Sequence, residues 1–179
     1  MKNALNPPNE VERSRVERDK GTISRLYTLT VKTNIAASAS RSFDHARSVD
    51  AHVLSAGNSG ERVVGGRTSG LLELGEEVTW EAWHLGIRQR LTSRITVFQP
   101  PDFFQDRMIK GVFKSFEHDH RFEADKAGGT VMVDVVRFEA PLGPLGWAAR
   151  RLILARHLRR FLRKRELALK AMAESGKYL

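Results

Sequence analysis

The sequence predicts an α+β domain in which a curved antiparallel sheet of about seven strands wraps a long C-terminal helix. Three observations predict it. Short alternating segments follow one another through the middle of the chain with only turns between them, as in a hairpin-linked meander. Two short helical segments come directly after the first strand. One helical apolar repeat then runs over residues 145–174 with no proline and no glycine beyond Gly146. The 179 residues suit one domain with its own core, and an apolar fraction of 41% is that of a globular chain.

Residues 1–21 read as a polar tail, because Pro7-Pro8 and the charged run after them have little to bury. The domain is expected over 22–175, with a short tail at 176–179. A first strand over 23–35 places Tyr27, Leu29, Val31 and Thr33 on one face. Ser38 or Ser40 can cap a helix carrying Phe43 and Ala46. A second short helix over 49–55 has Asp50 near its positive end. A short strand is expected over 61–64 and 67–70, broken at Gly65-Gly66 by a bulge. The stretches GEEVTWEAWHL, IRQRLTSRITVF, FFQDRMIKGVF, SFEHDHRFEA and TVMVDVVRFEA follow as strands. Between them lie turn signals such as Gln99-Pro100-Pro101-Asp102 and Lys126-Ala127-Gly128-Gly129. Pro141 and Pro144 end the sheet. In the last helix Leu152, Ala155, Leu158, Phe161, Leu162, Leu169 and Met172 recur on one side, opposite a basic side, and Gly176 can terminate it.

The order strand, two short helices, six strands, long helix resembles the START-like (SRPBCC) superfamily, which includes polyketide cyclases/dehydrases and coenzyme Q-binding proteins. The resemblance spans residues 23–174. It is carried by VKTNIAASASRSFDHARSVDAHV, by GEEVTWEAWHLGIRQRLTSRITVF, by SFEHDHRFE, and by the run from GGT to APLGPLG. It implies the helix-grip fold, with a cavity between sheet and last helix that holds a lipid, sterol, quinone or polyketide. It transfers no catalytic residue, because the superfamily has no universal catalytic motif.

Strand alternation supplies the candidate site. In SFEHDHRFEA, Phe116, His118, His120 and Phe122 share one face, and the aromatic face is expected inward. In the last strand an inward Met132 face brings Asp134 opposite His118 or His120, where a carboxylate fixes a tautomer or stabilises a cation. Val78, Trp80 and Ala82 are the inner residues of their strand, and Ile87, Gln89, Leu91, Ser93 and Ile95 of the next. For FFQDRMIKGVF the pattern leaves two faces open, Phe104 with Met108 or Phe103 with Ile109 and Phe113. The ligand-binding residues expected are Trp80, Phe116, His118, His120, Phe122, Asp134 and Leu152. Two histidines and a carboxylate suffice for a metal triad when a third ligand is at hand, but no metal and no cofactor is expected.

Composition narrows the function. With no cysteine there is no disulfide, thiolate metal site or thiol nucleophile. No phosphate loop, H-E-x-x-H or nucleophile elbow occurs. The N-terminus lacks an export pattern, so a cytoplasmic location is expected. The net charge of +9 is concentrated in the last helix, at Arg156, Arg159, Arg160, Arg163, Lys164 and Arg165 among others. Such a face can meet an anionic membrane, and no specific nucleic-acid partner is expected. The reading is a carrier or binder of a hydrophobic small molecule. The alternatives are a cyclase or dehydratase using His118 or His120 as general base, and an interaction module using the basic helix.

Overall fold

Ten elements build the domain in a computed structural model that describes residues 26–56, 60–84, 86–140 and 147–176, with the side chains of 147–152 left out. They are β1 (Leu26–Ile35), α1 (Ala39–Arg47), α2 (Val49–Ala56), β2 (Arg62–Gly66), β3 (Glu77–His84), β4 (Ile87–Gln99), β5 (Phe103–Lys110), β6 (Ser115–Ala124), β7 (Thr130–Glu139) and α3 (Trp147–Ser175). The strands form one antiparallel sheet in the order β1-β7-β6-β5-β4-β3-β2. All neighbours but β1 and β7 are consecutive in sequence, which is the meander that the turn signals require. The first residues of the expected first strand, the N-terminal tail and residues 177–179 lie outside the described residues.

Sequence chemistry sets the boundaries. Ser38 caps α1, its hydroxyl accepting from Arg41 N at 3.3 Å. Gln99 O accepts from Asp102 N at 2.9 Å across the proline turn. Asp125 Oδ1 accepts from the amides of Ala127 and Gly129, both at 2.8 Å, closing the β6–β7 hairpin. Two stretches differ from expectation: β5 ends at Lys110, so 111–113 is not strand, and neither is 67–70. The bulge falls between Val63 and Gly65, just before the Gly65-Gly66 step where it is expected, and Gly66 then takes φ +74°, where any side chain would collide with the Glu77 carbonyl. This left-handed residue turns the chain out of the ladder, and Ser48 and Leu71 pair as an isolated bridge instead.

Alternation decides what is buried. Tyr27, Leu29, Val31 and Ile35 of β1 and Met132, Val136 and Phe138 of β7 all point inward and are buried. Two apolar clusters result. One centres on Phe43, Phe104 and Phe122, with Leu169 and Ala173 of α3 against it; the other joins Leu29, Val136 and Phe138 to Leu162. The helix therefore lies on the sheet, as the helix-grip arrangement requires. Among the described residues no helix is long and apolar enough to cross a membrane.

Candidate functional site

Between the two apolar clusters the sheet and α3 leave a cavity of about 130 Å³, roughly ten times the space one buried water needs. Its walls come from the inner faces that alternation singles out: Val78, Trp80 and Ala82 of β3, Gln89, Leu91, Ser93 and Ile95 of β4, and Phe116 of β6. Leu154, Leu158 and Phe161 of α3 close it. Of the seven residues expected to bind ligand, Trp80, Phe116, His118 and His120 line the cavity. Phe122 sits deeper in the core against Phe43 and Phe104, and Asp134 lies behind the two histidines. The side chain of Leu152 is outside the described residues. Ile87, expected inward, is 62% exposed because it lies at the end of β4 beside the turn.

One end of this apolar cavity is polar. Register places His120 directly opposite Asp134 across the β6–β7 pair, and Asp106 opposite His118 across β5–β6. The open choice on β5 resolves to the Phe104 face, since Phe104 is buried in the core and stacks on His120 with ring centres 4.2 Å apart. Phe103 lies on the other face under the Arg121 guanidinium. Asp106, two residues beyond Phe104, therefore points inward. Its Oδ2 lies 3.2 Å from His120 Nε2, within hydrogen-bond reach, and 3.8 Å from His118 Nδ1. On the far side of the same rings, Asp134 Oδ1 lies 2.7 Å from His120 Nδ1 and 3.4 Å from His118 Nε2. These last approaches are ionic contacts rather than aligned hydrogen bonds.

Charge within the cluster follows from these contacts. Burial lowers the pKa of His118, the His120 charge lowers it further, and the nearby carboxylates only partly compensate. Burial also opposes a charge on His120, yet Asp134 and Asp106 outweigh it and raise its pKa. Burial works against the Asp134 carboxylate, but His120 and its other neighbours hold it well below the usual range. Glu166 of α3 is pushed the opposite way, well above the usual range, first by burial and then by the Asp134 charge.

Three further groups belong to this end. Arg165 is 9% exposed and lines the cavity, and its Nε has no hydrogen-bond partner among the described residues. His52 of α2 stacks on Trp80 with centroids 3.8 Å apart and meets Glu61 Oε1 at 3.3 Å. Burial, then the Arg165 charge, lowers its pKa. His84 and His157, for which the sequence offers no signal, bond across the cavity wall, Nδ1 to Nε2, at 3.1 Å.

Asp106, Arg165, Glu166 and Glu61 are the residues that sequence reasoning misses. For the α3 pair a signal exists. The inward apolar residues skip from Leu162 to Leu169, and a 3.6-residue repeat needs something facing inward at 165–166.

No protein-family model matches the sequence, and no curated protein is a significant match. Solved structures do match the fold. The protein TTHA0849 from Thermus thermophilus superposes with a TM-score of 0.69 at 15% identity, covering 84% of this chain and 99% of its own. The Zhui aromatase/cyclase from Streptomyces sp. R1128 also reaches 0.69 at 15% identity, covering 83% and 94%. A START superfamily protein from Mycobacterium smegmatis reaches 0.64 at 11% identity, covering 84% and 99%. The chain accordingly shares the helix-grip fold of these structures, a seven-strand antiparallel sheet with two short helices after the first strand and a closing C-terminal helix.

Proposed function

We propose that the protein binds and carries a small molecule with an apolar body and one acidic or strongly polar oxygen group. The observation that carries this reading is the buried, incompletely paired Arg165 on the wall of an otherwise apolar cavity. A guanidinium taken out of water without a partner is costly, and an anionic ligand oxygen supplies the partner through a forked contact. Trp80, Phe116, Leu158 and Phe161 take the apolar body, with His118, His120 and Asp106 beside the polar end. This is the usual division of labour in small-molecule sites. Named solved structures of this fold include an aromatase/cyclase, which is in keeping with a ligand of this kind.

The test is titration with a fluorescent fatty acid and, separately, its methyl ester. Wild-type protein is expected to take up the acid more tightly. Arg165→Met is expected to lose that preference while still binding the ester. Failure of correctly folded protein to bind either probe would overturn the reading. Chemical conversion of a bound polyketide mimic, rather than its retention, would move the assignment to cyclase or dehydratase chemistry with His118 or His120 as base.

A second observation bears on where ligand is exchanged. Arg156, Arg160, Arg163 and Lys164 are exposed on the outer side of α3, as expected for charges that cannot be buried unpaired. Such a stripe suits an anionic bilayer surface. Co-sedimentation with anionic vesicles, absent with neutral ones and weakened by salt, is the expected result. Equal indifference to both vesicle types would remove the membrane from the reading.

A further inference from the structure

We propose that Asp106, His118 and His120 form a binding site for a divalent transition-metal ion on the cavity wall. One donor atom from each of the three lies within 4.8 Å of the other two. His118 and His120 reach the same side because they are two apart on β6, and Asp106 meets them from β5. Asp106 Oδ2 is 3.2 Å from His120 Nε2 and 3.8 Å from His118 Nδ1. An ion with metal–ligand bonds of ~2.1 Å sets its ligands roughly 3.0–3.4 Å apart, which the two Asp106 separations match to within half an ångström, and the His118 and His120 donors lie within 4.8 Å of one another.

The arrangement behind the rings is the stronger argument. Each imidazole turns one nitrogen to Asp106 and the opposite nitrogen to Asp134 Oδ1, at 3.4 Å for His118 Nε2 and 2.7 Å for His120 Nδ1. The nitrogens on the Asp106 side can therefore share one ion with the Asp106 carboxylate while the opposite edge of each ring rests against Asp134, and such binding displaces any proton held there. A buried carboxylate that fixes the tautomer of metal-binding histidines is the recurrent outer-shell device of such sites. The Asp106 side chain is 19% exposed and lines the cavity, so the remaining coordination positions open towards the ligand space. Two imidazoles and one carboxylate suit first-row ions such as Zn²⁺, Co²⁺ or Fe²⁺. This inference does not rest on the apolar-ligand reading, because the ion needs only the three side chains.

The experiment uses the full chain, stripped with chelator and titrated with Co²⁺ alone, followed by visible absorption and then by displacement with Zn²⁺. One ion per chain is expected. His118→Gln and His120→Gln are each expected to weaken binding by more than tenfold, and Asp134→Asn by about 10–100-fold through the outer shell. Glu117→Gln, on the outer face of β6 and paired with Arg107, is expected to leave it unchanged. Circular dichroism and thermal melting establish that each variant is folded, and Asp106→Asn, expected to weaken binding likewise, serves as the near-isosteric variant if a histidine variant is not. No Co²⁺ binding by folded wild-type chain overturns the proposal. So does binding that survives His118→Gln, or binding that is lost in Glu117→Gln. No fatty-acid probe is present, so these results stand apart from failure of the carrier reading.

Discussion

Buried acids occur on both faces of the sheet, and their partners differ. On the outer face Glu81 is 2% exposed because arginine side chains lie over it: Arg62 at 2.6 Å, Arg90 at 2.7 Å and Arg88 at 3.8 Å. Asp119, 3% exposed, accepts from Gln105 and Arg137, both at 2.8 Å. On the inner face Asp134 meets two histidines and Glu166, whose pKa its charge pushes up, and neither of its oxygens has an aligned hydrogen bond among the described residues. Buried polar groups are normally satisfied, and exceptions concentrate where a ligand or ion completes them. The outer acids hold strands together. The inner ones keep bonding capacity that their neighbours leave unused.

Asp134→Ala is the most disruptive single change expected, since it strands a charged His120 with only Asp106. A loss of about 3–5 kcal/mol in urea unfolding is the expected size. Changing Asp106, Asp134, His118 and His120 together to leucine sharpens the contrast. With the paired charges of the cluster removed together, stability is expected to match or exceed that of the wild-type chain by up to about 4 kcal/mol. A quadruple variant as unstable as Asp134→Ala would mean that the inner cluster is structural after all.

On the outer face the effects are smaller. Arg137→Ala leaves Asp119 with Gln105 alone, and because Arg137 is partly exposed the expected loss is about 1 kcal/mol. Glu81→Gln is expected to show itself chiefly in acid. Hydrogen bonds from Arg62 and then Arg90 hold the Glu81 carboxyl down to about 2 from a reference of 4.5. Its folded pKa is depressed, so its contribution is fully present above pH 4.5 and is lost as pH falls through about 2. The difference in unfolding free energy between wild-type and Glu81→Gln protein should therefore shrink across that window. A constant difference from pH 7 to pH 2 would contradict the assignment.

The inner face was largely legible in the sequence because alternation has a period of two, and one aromatic strand, β6, anchors the register of its neighbours. Phe116, His118, His120 and Phe122 share a face as alternation requires, and Asp134 falls opposite His120. Asp106 was not legible, because both faces of β5 carry a phenylalanine and hydrophobicity cannot rank them. Arg165 and Glu166 were hidden for another reason. They sit in a helix whose basic composition reads as solvated, and only the gap between Leu162 and Leu169 marks them as inward. Arg67–Gly70 failed as strand because positive φ at Gly66 is a backbone property that strand propensity does not register.

If the inner face encloses a ligand site, two substitutions on one strand must act differently. Ser93 of β4 is 5% exposed and lines the cavity, whereas Thr96 is exposed on the opposite face. Binding of the fluorescent fatty acid by Ser93→Phe and Thr96→Phe is the measurement, with both variants shown to be folded. Loss of binding by at least tenfold in Ser93→Phe, with Thr96→Phe unchanged, is the predicted result. Equal binding by the two variants would contradict it, because a phenylalanine filling the cavity would then have displaced nothing.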